Sequence, residues 1–152
     1  MKKNIHFTAG ILATLTIATF FTSTIIIELF GSHDAVATIK SLIVLPGLFI
    51  LISAIAATGG TGFAISKSRK GRLVQVKQKR IPFIGANGIL VLIPCAIFLD
   101  RWASAGIFDT TFYIVQGIEL VAGAVNLTLM SMNIRDGLKL SGRFRASSQT
   151  NR

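Results

Sequence analysis

Four long apolar blocks constrain the fold of this chain more than any other feature. They cover residues 7–30, 35–65, 81–99 and 110–132. Each block is long enough for a transmembrane helix, because about 20 helical residues cross the hydrocarbon core of a bilayer. Only helices and closed barrels satisfy the backbone in hydrocarbon, and the blocks lack the alternating pattern of barrel strands. The sequence therefore predicts an all-α, polytopic membrane protein, with one four-transmembrane-helix bundle over residues 1–152.

The composition favours the same class. Charged residues make up 14% of the chain, whereas soluble domains carry about 25%. The mean hydropathy is +0.66. The first block is also longer than the apolar region of a signal peptide, which usually has about 7–15 residues, so we expect it to remain as the first span.

Lysine and arginine are distributed unevenly among the connections. Of the 16 lysines and arginines, all but Lys40 and Arg101 precede the first block, separate the second from the third, or follow the fourth. Cytoplasmic loops carry such an excess of positive charge, so both termini are expected in the cytoplasm. Residues 66–80 are interpreted as a basic cytoplasmic loop and residues 133–152 as a basic cytoplasmic tail. Both are expected to contact anionic lipid headgroups, and no nucleic-acid partner is expected.

The fourth block carries polar residues along one helical face. Positions i, i+3, i+4 and i+7 of a helix share a face. An unpaired charge near the middle of a bilayer costs at least about 2.5–3.5 kcal/mol, so this face is predicted to point into the bundle. The face contains Phe112, Gln116, Glu119, Gly123, Asn126, Met130 and Asn133.

Glu119 needs a partner, and the chain offers few. Lys40 is the only lysine or arginine within the four blocks, and Glu28 lies at a similar depth in the first block. We therefore expect Glu119 to lie beside Lys40 or Glu28. Pro46 is predicted to kink the second span. The proposed intramembrane polar site comprises Glu28, Lys40, Gln116, Glu119, Asn126 and Asn87. These residues either act as polar contacts that fix helix register, or form a functional site.

The two histidines lie at opposite surfaces of the predicted bundle. His6 lies at the cytoplasmic surface, about 33 Å along the helix from Glu28, and is either a haem ligand or a residue at headgroup level. His33 lies in a short outer connection and is expected to be solvated. Cys95 is the only cysteine, and no metal-binding spacing is visible, so no metal site is expected.

His6 near the start of the first span, together with the segment LPGLFILI at residues 45–52, resembles a set of small four-helix bacterial membrane proteins. The set includes the HemJ-type protoporphyrinogen oxidases and the CopD-type copper-resistance proteins. The resemblance covers about the first half of the chain. It implies a multi-pass protein of the bacterial inner (plasma) membrane. In the HemJ branch it implies a haem b held by the first-span histidine, here His6. The lysine that this family carries near the third span corresponds to either Lys77 or Lys79.

Three functions remain open from the sequence. The first is a redox protein that binds haem b or a quinone. The second is a small proton- or ion-coupled transporter or permeation unit that uses Glu119, Lys40 and Glu28. The third is a noncatalytic membrane subunit whose polar stripe binds a partner helix. Transport through four helices would require a homodimer or a partner subunit. No serine, histidine and acid meet at one level, so nucleophilic catalysis is not expected, and the substrate is not indicated.

The uneven charge distribution makes the topology testable. Reporter fusions at Arg152 and within residues 67–80 should both report the cytoplasm, because these segments carry the excess of positive charge. A fusion near Gly106 should report the opposite side. An external carboxyl terminus would contradict a bundle of four spans with both termini inside.

Overall fold

The computed structural model describes residues 2–66 and 71–140, and almost all of these residues are helical. Four stretches are long and apolar enough to cross a membrane, and we call them spans one to four. They cover Asn4–Phe30, His33–Ala64, Arg72–Ser104 and Thr110–Lys139. The prediction of an all-α architecture with four apolar helices is confirmed at this level.

Spans one and four are single helices, α1 (Lys2–Phe30) and α6 (Thr110–Leu140), whereas spans two and three are each interrupted by a π-helical segment. Span two consists of α2 (His33–Leu42), the first π segment (Ile43–Leu48) and α3 (Phe49–Ser66). Span three consists of α4 (Arg72–Asn87), the second π segment (Gly88–Leu92) and α5 (Ile93–Ser104).

Two predicted boundaries are corrected by the structure. The segment at residues 66–80 was expected to be a loop, but α4 begins at Arg72. The tail was expected to begin at residue 133, but α6 continues to Leu140. In both cases side chains beyond the apolar blocks pack between α4 and α6, since Val74 and Asp136 are buried there. Residues 67–70 and 141–152 of these two segments lie outside the described residues.

At one end of the bundle, side-chain hydrogen bonds fix where α2 and α6 begin. Ser32 caps α2, because its Oγ accepts a hydrogen bond from the backbone N–H of Ala35 at 3.3 Å. Asp109 precedes α6, and its Oδ1 accepts from the N–H of Phe112 at 2.9 Å. Gly106 adopts a φ of +71° in the connection before α6, which favours glycine. We call this end, with connections 31–32 and 105–109, the short-loop end, and the opposite end the basic end.

The expected kink at Pro46 is present in span two. Leu45, the residue before the proline, leaves the helical region with φ −136° and ψ 117°. Proline lacks an N–H donor and clashes with the preceding turn, which breaks the regular helix. Gly47 allows α1 to approach this break, because a Cβ there would lie 2.5 Å from Cζ of Phe20. The second π segment ends at Leu92, two residues before Pro94, which lies in the first turn of α5.

The core lies between spans one and two and extends to spans three and four. One apolar cluster fills the middle and the basic half, and it contains Ala13, Ile17, Ile43, Leu48, Leu51, Ala54, Ile84, Ala96 and Met130. A second cluster at the short-loop end contains Val36, Cys95, Leu99, Ala103 and Phe112. Large apolar side chains also cover the outside, among them Leu29, Phe49 and Leu90. A soluble monomer rarely exposes so much contiguous apolar surface.

Candidate functional site

The polar face of α6 points into the bundle. Gln116, Asn126 and Asn133 are all buried, whereas Val121 on the opposite face is 68% exposed. The helical spacing of the sequence therefore identified the correct inward face.

Lys40 and Glu119 form an ion pair between α2 and α6. Nζ of Lys40 lies 2.6 Å from Oε2 of Glu119, and the two side chains are 1% and 13% exposed. Gln116, one turn earlier on α6, donates from Nε2 to the same Oε2 at 3.0 Å. Of the two partners expected for Glu119, Lys40 or Glu28, the structure shows Lys40 in direct contact. A buried ion pair stabilises a fold only when such additional hydrogen bonds offset the loss of hydration.

Two acceptor oxygens beside the pair lack a hydrogen-bond partner among the described residues. They are Oε1 of Glu28 and Oε1 of Gln116, and both atoms are buried. Glu28, on α1, lies close enough to interact electrostatically with Lys40, Glu119 and His33, but no ion pair within 4.0 Å joins it to Lys40. A buried acceptor without a partner costs about 1–3 kcal/mol, so these two oxygens favour the binding of a hydrogen-bond donor.

The charges of this cluster do not balance. Glu28 and Glu119 supply two carboxylates when ionised, and Lys40 supplies one ammonium group. When both carboxylates are ionised and His33 is neutral, one negative charge is in excess. A single added proton neutralises the cluster, and a protonated carboxyl also becomes a hydrogen-bond donor. The arrangement is thus suited to binding and releasing one proton.

A small cavity adjoins Glu119. Its volume is about 50 Å³, enough for a few water molecules at about 10–15 Å³ each. Thr24 on α1 is the other polar residue in its wall, and Ile43 and Leu48 of the first π segment close one side. The helix is broken at Leu45 within this segment, so the cavity lies against an irregular stretch of span two.

Asn87 and Asn126 form a separate polar layer nearer the basic end. Asn87 donates from Nδ2 to Oδ1 of Asn126 and to the carbonyl of Ala122, both at 2.9 Å. Asn126 in turn donates to the carbonyl of Ile84 at 3.3 Å. These bonds connect α4 to α6. The six residues proposed from the sequence therefore fall into two groups, and this second group is explained by helix packing.

His6 lies at the basic end, where its ring packs against α3. Its Nδ1 lies 3.0 Å from the carbonyl oxygen of Thr58 and 3.3 Å from Oγ1 of Thr61. The ring also leaves little room at Gly62, where a Cβ would lie 3.0 Å from Cε1 of the imidazole. The contacts of this side chain are those of a residue that joins α1 to α3.

The two histidines lie at opposite ends of the bundle. His33 is at the short-loop end, stacked on Phe108 with ring centroids 4.0 Å apart, so the two histidines cannot ligate one iron. Within residues 2–66 and 71–140, no three His, Cys, Asp or Glu side chains cluster as metal ligands. Haem binding at His6 stays an expectation from the resemblance, and no chemical step is derived through it.

One buried ionic contact was missed by the sequence analysis. Asp136 is 3% exposed, and its Oδ2 accepts a hydrogen bond from Nη1 of Arg80 at 2.7 Å. Asp136 follows Asn133 by three residues, so it continues the inward face of α6. The helical period of the inward face predicts this position, but the sequence analysis followed the face only as far as Asn133.

Comparisons of the chain with models of protein families, with curated proteins and with solved structures found no match.

Removing either member of the Lys40–Glu119 pair should destabilise the protein. Glu119→Ala or Lys40→Ala leaves the other charge buried without a partner, and we expect a loss of about 3–5 kcal/mol in the free energy of unfolding. Glu119→Gln keeps the shape and should cost less. Reversible unfolding in detergent, followed by circular dichroism, measures these differences.

A double variant tests whether the two buried charges depend on each other for stability. Replacing Lys40 and Glu119 together by leucine removes both charges, so stability should recover relative to the single alanine variants. Alanine variants as stable as the parent protein would show that the two charges do not depend on each other.

Proposed function

We propose that this chain is a small multi-pass membrane protein, and that Glu28, Lys40, Gln116 and Glu119 form a proton-exchanging site in it. Proton- or ion-coupled permeation is then the function that the geometry supports best. The observation that carries the proposal is a buried ion pair with one excess carboxylate and two unpartnered acceptor oxygens beside it. Ionisable groups within apolar helices are costly, and in membrane proteins they often mark ion pathways.

The orientation follows from the charges. The basic end carries Lys77, Lys79, Arg80 and Arg135, so it is assigned to the cytoplasm of a bacterial inner membrane. The short-loop end is then external. In this orientation Glu28 lies at the outer end of α1, and Glu119 lies deeper, beside the cavity.

Lys40 can act as the shared partner of two acids. Its ammonium group forms an ion pair with Glu119, while the unpaired Glu28 carries the proton. Transfer of the proton from Glu28 to Glu119 reverses the charges, and the flexible lysine side chain can follow the remaining carboxylate. Water in the adjoining cavity would then accept the proton from Glu119 on the inner side. Bending at the first π segment provides a means to open this cavity.

The size and lining of the cavity favour a proton over a larger solute. A volume of about 50 Å³ holds a few waters only, and most of its wall is apolar. A homodimer or a partner subunit stays part of the proposal, because four helices make a thin wall around a continuous pathway.

The redox alternative has less support from the geometry. The apolar groove between α4 and α6, with a volume of about 520 Å³, has Asn87 as its only amide side chain. The Nδ2 group of Asn87 already donates to Ala122 and to Asn126. A quinone carbonyl in this groove would therefore find no free donor among the described lining residues.

The partner-subunit alternative needs a different surface from the one expected. It assumed that the polar stripe of α6 binds another protein's helix. Gln116 and Asn126 are 4% and 1% exposed, because the helices of this chain already cover them. A partner helix would have to bind the apolar exterior instead.

Proton flux through reconstituted protein tests the proposal. In liposomes that enclose a pH-sensitive dye, the parent protein should dissipate an imposed pH gradient faster than empty liposomes do. Glu119→Gln should slow this flux by about tenfold or more, because it removes the inner proton-binding group. Glu28→Gln should slow it similarly.

The matched control is Asp100→Asn. Asp100 accepts a hydrogen bond from Ser41 at 2.6 Å on a different face of α2, and asparagine can keep that contact. Flux in this variant should equal that of the parent. A parent protein without flux in either gradient direction, or a Glu119→Gln variant with full flux, would contradict the proposal.

A further inference from the structure

A second charged cluster lies at the basic end, between α4 and α6. Asp136 is buried there and contacts Nη1 of Arg80 at 2.7 Å and Nε of Arg135 at 3.6 Å. A single carboxylate is thus shared by two guanidinium groups. Its burial and its short bond to Arg80 fix the position of that guanidinium at the junction of the two helices.

Lys77 adds a third positive charge without an ion pair of its own. Its ammonium group lies over the backbone of α6, because a Cβ at Gly137 would be 3.2 Å from Nζ. No carboxylate among the described residues lies within 4.0 Å of Nζ; Asp136 interacts with Lys77 only at longer range. Lys77 is half-buried rather than extended into solvent. A cation held in this way is available to an anion.

Asn133, one turn from Gly137 on the inward face of α6, has an unsatisfied polar atom. Its side chain is 9% exposed, and its Oδ1 is buried without a hydrogen-bond partner among the described residues. Asn133 lies three residues before Asp136 on α6, so the inner side of this cluster also carries an unsatisfied acceptor.

The charge count specifies the ligand class. Lys77, Arg80 and Arg135 supply three positive charges, and Asp136 supplies one negative charge, which leaves an excess of two. Guanidinium and ammonium groups together are the usual protein ligands of phosphate. The cluster thus complements a phosphate group, either as a diester with one negative charge or as a more highly charged monoester.

The adjacent apolar groove favours a lipid as the source of that phosphate. The groove between α4 and α6 begins at Phe83, about 4.5 Å along the helix from Arg80, and continues past Gly117 and Val121. Phe83 and Val121 are exposed on this surface. An acyl chain fits a long apolar groove of about 520 Å³, which free phosphate would leave unused.

We propose that Lys77 and Arg80 bind the phosphate of an anionic phospholipid, whose acyl chain lies in the groove between α4 and α6. The site is independent of the proton-exchanging cluster, which lies nearer the short-loop end. Arg135 contributes charge at the exposed rim, and Asp136 orients Arg80.

Lipid-dependent stability tests this site. The purified protein in detergent is titrated with phosphatidylglycerol or with phosphatidylcholine of the same acyl chains, and the unfolding midpoint is measured. Phosphatidylglycerol should raise the midpoint more than phosphatidylcholine, since a ligand stabilises the state that binds it. Lys77→Gln should weaken the apparent affinity for phosphatidylglycerol by about tenfold or more.

Lys79→Gln is the matched control, because Lys79 lies on the same helix and carries the same charge but is exposed. It should keep the selectivity for phosphatidylglycerol. Gly117→Leu tests the groove: no neighbouring atom lies within 4 Å of a Cβ at Gly117, so the larger side chain is tolerated but occupies the groove. This variant should also weaken phosphatidylglycerol binding.

The outcomes distinguish lipid from free phosphate. If inorganic phosphate raises the midpoint of the parent protein as much as phosphatidylglycerol does, and Gly117→Leu has no effect, the lipid assignment is overturned in favour of free phosphate. If the two phospholipids raise the unfolding midpoint of the parent protein equally, the specific site is overturned. If Lys77→Gln and Lys79→Gln lose the same affinity for phosphatidylglycerol, the site is also overturned, and general charge attraction explains the binding.

Discussion

The ion pair between Lys40 and Glu119 is the interaction on which the rest of the structure depends. Lys40 is the only lysine or arginine in the apolar blocks, and its ammonium group determines which face of α6 points inward. Once Glu119 points inward, the helical period places Gln116, Asn126 and Asn133 on the same buried side. The need of Glu119 for a positively charged partner is thus met by the same orientation of α6 that buries its other polar side chains.

The polar groups of the bundle form three layers with different chemical properties. The layer nearest the short-loop end has an excess of negative charge and unpartnered acceptors, which suits proton binding. The middle layer, Asn87 with Asn126, is neutral and hydrogen bonded, so it connects helices without needing a ligand. The layer at the basic end has an excess of positive charge around Asp136. Irregular backbone at the two π segments lies between these layers rather than within them.

Much of this arrangement follows from the sequence, and the missing parts have physical reasons. The apolar blocks and the period of α6 were sufficient for the four helices and for the Lys40–Glu119 contact, because a buried charge leaves few alternatives. The contact between Arg80 and Asp136 was missed because the charged residues beyond the apolar blocks were assigned to a cytoplasmic loop and tail rather than to an interface between helices. The cavity beside Glu119 depends on how four helices pack around a broken one, and no local pattern in the sequence encodes such a volume.

The central claim is that the cluster around Lys40 holds one exchangeable proton on a carboxyl group. Infrared difference spectroscopy of the protein in lipid at neutral pH, in H₂O and in D₂O, measures this directly. The parent protein should show the carbonyl stretch of one protonated carboxyl that shifts in D₂O, and the double variant Glu28→Gln/Glu119→Gln should lack it. A parent protein without this band, or a band that persists in the double variant, would contradict the claim.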